Sequence, residues 1–127
     1  MYEEEIVKKF VISSRRDRCI YELGSPERRK NCILGRIERV FDEKKIICSI
    51  RATYGVKSIV DEVRKYTSEK QCYVISADEY DRQVVDFQTV IDAVYCLGPA
   101  LFYFPQSGIL YYEGEPYPSK TPRWILK

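Results

Sequence analysis

Apolar positions along the chain follow two patterns, one at helical spacing and one alternating. Ile6, Val7, Phe10 and Val11 recur at i, i+1, i+4 and i+5. That is the stripe of a helix over 3–12, with glutamates at its start and lysines near its end, as the helix dipole favours. Residues 13–23 are polar and then briefly apolar at Cys19-Ile20-Tyr21, which reads as a loop or an irregular helical continuation. Ser25-Pro26-Glu27 is a helix start: serine offers a capping oxygen, proline suits the first turn and glutamate faces the positive dipole end. Ile33, Ile37, Val40 and Phe41 then carry a second helix to about Phe41.

Alternation takes over at Lys45–Ile50, where Ile46, Cys48 and Ile50 share one face of a predicted strand. Ala52-Thr53-Tyr54-Gly55 reads as a turn, and Val56, Ile59, Val60 and Val63 as the buried stripe of a helix over about 56–66. Residues 71–76 form the next strand. Ser76-Ala77-Asp78-Glu79 has capping-box spacing, and Val84, Phe87, Ile91, Val94 and Tyr95 keep a helical period to the Gly98-Pro99 stop, with Gly98 placed for a left-handed conformation. Val84-Val85 also fits a short strand. Ala100–Phe104 and Ile109–Glu113, joined by Pro105-Gln106-Ser107-Gly108, read as an aromatic β-hairpin. Pro116, Pro118 and Pro122 make the next stretch extended, and Trp124-Ile125-Leu126 closes it as an edge strand or docked tail.

The pattern predicts a single α+β domain over 1–127, with a mixed or antiparallel sheet of about four to five strands, helices mainly on one face and a C-terminal aromatic β-hairpin. A β-α-β unit at 45–76 would cross over right-handed if its strands are parallel neighbours. Hydrophobic residues at 45% and charged residues at 31% fit an ordinary globular chain. No apolar run approaches the ~20 residues needed to span a bilayer. The acidic start, Met1-Tyr2-Glu3-Glu4-Glu5, lacks a basic segment followed by an apolar one, so no signal peptide is expected. The five cysteines, at wide irregular spacing without a CxxC pair, read as reduced core hydrophobes. A cytoplasmic protein without membrane contact follows from these features together.

Candidate chemistry is sparse. The chain has no histidine, so the commonest general base and the usual activator of serine or cysteine nucleophiles are absent. No glycine-rich phosphate loop is present, and a zinc site would need several cysteines from distant elements. The expectation is no enzyme, no catalytic residue, no metal and no cofactor. Two surfaces stand out instead. Residues 1–65 carry 16 Lys/Arg against 11 Asp/Glu, whereas residues 66–127 carry 5 against 8. In the basic half Arg15, Arg16, Arg18, Arg28, Arg29, Lys30, Arg36 and Arg39 are interleaved with Asp17, Glu22, Glu27 and Glu38. Arg29, Arg36 and Arg39 fall at i, i+7 and i+10, one exposed face of a helix, so Arg28, Arg29, Arg36 and Arg39 are candidates for nucleic-acid phosphates. Interleaved acids could equally neutralise that face. In the acidic half, Asp78, Glu79 and Asp81 cluster, and Glu113 and Glu115 flank a tyrosine excess that includes Tyr103, Tyr111, Tyr112 and Tyr117. Because a strand alternates its faces, some of these rings are expected either outside, as anchors for a basic partner, or covered by the proline-rich tail.

Two segments, Arg16-Asp17-Arg18-Cys19-Ile20-Tyr21-Glu22-Leu23 followed by Ser25-Pro26, and Ile109-Leu110-Tyr111-Tyr112-Glu113 with Arg123-Trp124-Ile125-Leu126, resemble small bacterial toxin-neutralising immunity proteins. The resemblance implies a compact, non-catalytic cytosolic protein that occludes the active site of a cognate toxin, often a nuclease. The partner-binding residues would be Asp78, Glu79, Asp81, Tyr111, Tyr112, Glu113 and Glu115. The alternative is a nucleic-acid-binding or regulatory module built on the arginines of 15–39.

Overall fold

A computed structural model gives the structure of the protein and describes residues 2–51, 55–116 and 121–127. The expected turn at 52–55 and the proline-rich stretch around Tyr117 and Pro118 lie largely outside the described residues. Six strands form one sheet: β1 (Ile46–Ser49), β2 (Gln71–Ser76), β3 (Val84–Asp86), β4 (Ala100–Phe104), β5 (Ile109–Glu113) and β6 (Arg123–Leu126). Their order is β1-β6-β5-β4-β2-β3, and every neighbouring pair is antiparallel. This exceeds the expected four to five strands. The added strand is Val84–Asp86, whose residues pair with 71–73 instead of starting a helix.

Helices cover both faces, not mainly one. The reason lies in the strands: β4 (ALFYF) and β5 (ILYYE) are buried at every position, so each has two faces to cover. Leu101, Tyr103, Leu110, Tyr112 and Leu126 face α1 (Tyr2–Phe10), α2 (Arg16–Gly24) and a broken helix α3 over 29–40. Phe102, Phe104, Ile109, Tyr111 and Ile125 face α4 (Val56–Arg64) and α5 (Phe87–Val94). On that second face Phe87 packs edge-on to Phe102 and Phe104, with ring centroids 5.7 and 5.2 Å apart. On the first, Phe41 meets Tyr112 at 5.2 Å.

Four tyrosines take part in a recurring arrangement. Each donates its hydroxyl to a glutamate: Tyr73 to Glu3 at 2.6 Å, Tyr103 to Glu5 at 2.6 Å, Tyr112 to Glu38 at 2.8 Å and Tyr111 to Glu113 at 2.9 Å. The acidic first turn of α1 therefore clamps two strands as well as serving its own dipole.

Connections also depart from expectation. β6 is interior, inserted between β1 and β5, and is neither an edge strand nor a docked tail. The strands at 45–76 run in the same direction but have β6, β5 and β4 between them, so no neighbouring β-α-β unit forms. Helix α5 begins at Phe87, capped by Asp86, whose carboxylate accepts from the Thr89 amide at 3.0 Å. Ser76 and Asp78 instead close a turn: the Ser76 hydroxyl donates to Asp78 Oδ1, which also accepts from the Tyr80 amide. After α5, Cys96 takes the left-handed conformation (φ 60°) two residues before Gly98. Ser25 starts α3 through its carbonyl, which accepts from the Arg28 and Arg29 amides, and makes no side-chain cap.

Candidate functional site

The broken helix α3 sets the polar geometry of the molecule. Regular turns at Arg29–Asn31 and Ile37–Val40 flank a wide π-type segment, Cys32–Arg36, with Gly35 at φ 172° and ψ −26°. In an unbroken helix Arg29, Arg36 and Arg39 would share one face; the wide turn rotates the later residues away from the first. Arg29 consequently turns inward and is 7% exposed, which overturns its expected place on a solvent face. Its guanidinium makes paired hydrogen bonds to both Glu3 oxygens at 2.7 Å and to both Asp81 oxygens at 2.8 and 2.9 Å, and donates to the Leu23 carbonyl. Burial alone would lower its pKa; the hydrogen bonds to Glu3 and Asp81 outweigh that and hold the charge firmly in place.

Arg36 and Arg39 face the opposite way, across a cleft of about 620 Å³ between α2 and α3. The cleft is lined by Arg15 from the turn before α2, Arg18, Cys19 and Glu22 from α2, and Cys32, Arg36, Ile37, Arg39 and Val40 from α3, with Ile12 at one end. On α2 the spacing 18, 19, 22 puts these three side chains on one helical face. Glu22, 4% exposed, sits in the wall and binds Arg36 at 2.6 Å and Arg18 at 3.5 Å. Its carboxylate uses a fraction of the donors of these two guanidinium groups, whose side chains stay 58% and 59% exposed. Among the described residues Arg15 and Arg39 have no carboxylate partner. Of the interleaved acids, Glu38 is turned to the Tyr112 hydroxyl and does not neutralise the cleft. The result is a basic opening with an apolar wall of Ile12, Ile37 and Val40.

Most of the expected acidic and aromatic surface is not formed. Tyr111, Tyr112 and Glu113 are at most 1% exposed, because helices on both sides enclose β5. Glu113 accepts from the Tyr111 hydroxyl and the Cys96 amide, and lies 3.4 Å from the fully buried Arg123. Asp81 is spent on Arg29 and on the Ser76 amide. Glu115 is half-buried. Asp78 and Glu79 are exposed, on the turn between β2 and β3. Arg28 is exposed outside the cleft, with its guanidinium 5.8 Å from the Tyr21 ring. Arg15 and Arg18 belong to the expected arginine stretch of 15–39 but not to its four named candidates, and Cys19 and Glu22 join the site without having been read as ligand-binding; the signal was the i, i+4 pair Arg18–Glu22 in a segment read as irregular.

Among the described residues no group of three or more His, Cys, Asp or Glu could hold a metal ion, and no helix is long and apolar enough to cross a membrane. The fold and cleft together define a three-layer domain, an antiparallel six-stranded sheet between two helical layers, with a basic cleft in the layer built from 2–40. No protein-family model, curated protein or solved structure matches the chain.

Proposed function

We propose that the protein is a non-catalytic binding domain whose α2–α3 cleft takes the phosphate backbone of a nucleic acid. The carrying observation is that Arg15, Arg18, Arg36 and Arg39 converge on one opening where, among the described residues, Glu22 is the only carboxylate in the lining. Guanidinium forks bind phosphate oxygens in bidentate fashion, and a cleft of a few hundred Å³ is the size that encloses a small ligand or a nucleotide unit of a longer strand. The apolar wall offers a place for a base or sugar beside the charges. Labelled single strands of RNA and DNA, titrated by fluorescence anisotropy, test this. Affinity should fall steeply between about 50 and 200 mM salt, as counterion release requires. The double variant Arg15→Ala/Arg39→Ala should flatten the salt slope by about one per arginine removed. Absent binding at low salt, or a slope unchanged in the variant, overturns the reading.

A second reading, the toxin-neutralising protein-binding domain, draws on a different place. β3 is an open sheet edge carrying Val84, 52% exposed, beside the exposed carboxylates Asp78 and Glu79. Unpaired strand edges are templates for protein contact, and the carboxylates suit a basic partner. Calorimetric titration against the product of the adjacent gene checks it; no heat, with no protection in co-expression, removes it.

A further inference from the structure

A second cavity, of about 400 Å³, adjoins the basic cleft, and the exposed Arg39 lines both. Its other lining residues are Glu38 near the end of α3, Phe41 just beyond it, Glu43 and Ile46 at the start of β1, and Trp124 of β6. Trp124, the only tryptophan of the chain, is half-buried. One flank of its indole packs on Tyr112, its cross-strand neighbour on β5, with ring centroids 5.6 Å apart. Phe41 meets it edge-on at 6.3 Å. On the other flank the cross-strand neighbour is Ser49 of the edge strand β1, small and exposed, so no ring from that strand covers the indole.

We propose that a base of a single-stranded nucleic acid stacks on Trp124 in this cavity, while Arg39 holds the phosphate that links it to the cleft. The proposal rests on the phosphate-binding reading of the cleft and adds a second subsite to it.

The chemistry of the cavity selects a base over a further phosphate. Two carboxylates and one arginine line it, which disfavours another anion. Glu38 is already taken by the Tyr112 hydroxyl. Glu43, exposed at the rim, can accept from the exocyclic amino group of cytosine, adenine or guanine. The indole, the Phe41 ring and the Ile46 side chain supply the apolar surface that the face of a base needs. A base reaches an aromatic ring only when it is unpaired and splayed from its neighbours, so the ligand class is a single strand and not a duplex.

A sole tryptophan makes the contact readable on the unaltered chain. An oligodeoxycytidylate of about eight nucleotides, within the length a single-strand site spans, is titrated at low salt beside an abasic strand of the same length and charge. Expected is quenching of the Trp124 emission by the base-bearing strand alone, with about tenfold tighter binding than the abasic one, the gain that one stacked base brings. Ser49→Phe, at an exposed edge position, should cover the open side of the indole and erase both differences, while abasic binding and the melting temperature keep their parent values. Equal affinity for the two strands without quenching overturns the stacking site and leaves phosphate binding in the cleft standing. If neither strand binds, the cleft reading falls and this proposal with it. Quenching by a lysine-rich peptide but by neither strand gives the cavity to a cationic protein segment and also overturns the proposal.

Discussion

Arg29 and Arg36 belong to the same broken helix, and both are bound to carboxylates, yet they have opposite fates. Arg29 meets Glu3 from α1 and Asp81 from the β2–β3 turn, each with two hydrogen bonds, and is sealed from solvent. Arg36 meets a single carboxylate, Glu22, which it shares with Arg18, and remains more than half exposed. The difference comes from what the rest of the chain delivers to each. Where two acids arrive from distant elements, a basic residue becomes a structural tie; where one acid serves two arginines, positive charge is left over at the surface. A count of arginines along 15–39 cannot separate these cases, because both carboxylates that claim Arg29 lie outside that stretch.

The largest break in this comparison comes from Arg29→Ala. It strands Glu3 and Asp81 in a poorly solvated junction, and removing one side of a buried ion pair costs about 3–5 kcal/mol. Urea denaturation should show the loss. Arg29→Met with Glu3→Gln and Asp81→Asn should recover a substantial part, because the stranded charges are then gone. Next comes alkaline pH. Burial, reinforced by Glu3, Glu5, Glu113 and Glu38, raises the pKa values of Tyr73, Tyr103, Tyr111 and Tyr112 above the ordinary value of 10.0. An acid with a folded pKa above its unfolded one stabilises the fold fully below the unfolded value, and that contribution fades as pH rises toward the folded one. Stability should therefore be flat up to about pH 10 and fall above it, with late tyrosine ionisation at 295 nm coinciding with loss of helical circular dichroism. Tyr112→Phe should soften the fall.

Arg36→Ala sits lower on the scale. Arg18 still faces the buried Glu22, so its charge is not stranded, and a pair whose arginine is more than half exposed contributes about 1 kcal/mol. Arg39→Ala, on the same segment but with no acid claiming it among the described residues, should stay within about 0.5 kcal/mol of the parent, as surface substitutions do. For oligonucleotide affinity the ranking should reverse, with Arg36→Ala and Arg39→Ala weakening binding while the parent melting temperature is nearly kept. A variant series in which stability and affinity fall together would erase the distinction between tie and ligand.

What was legible in the sequence follows the same division. Local signals served well where a local interaction decides: the stripes Ile6, Val7, Phe10 and Ile59, Val63 mark buried positions, and 71–76 is a strand as expected. They fell short where distant elements decide. The unbroken apolar runs 100–104 and 109–112 already carried the sign of strands covered on both faces, and taking them as one-sided is what placed Tyr111 and Tyr112 outside. The wide turn at 32–36 had only Gly35 to announce it, and that turn separates Arg29 from Arg36. That Cys19 and Cys32 line one cleft depends on α2 packing against α3, which no spacing rule for cysteines encodes.

The interior position of β6 has a consequence for how the sheet comes together. β1 is the first strand in the chain, but its hydrogen-bonding neighbour, Arg123–Leu126, comes last among the described strands. Until β6 docks, β1 has nothing to pair with, and one edge of β5 stays open beside the helices over 2–40 that cover Leu126. β6 is thus the keystone of the sheet: it joins β1 to β5-β4-β2-β3, and because the segments it brings together lie far apart in sequence, that joining is expected late in folding.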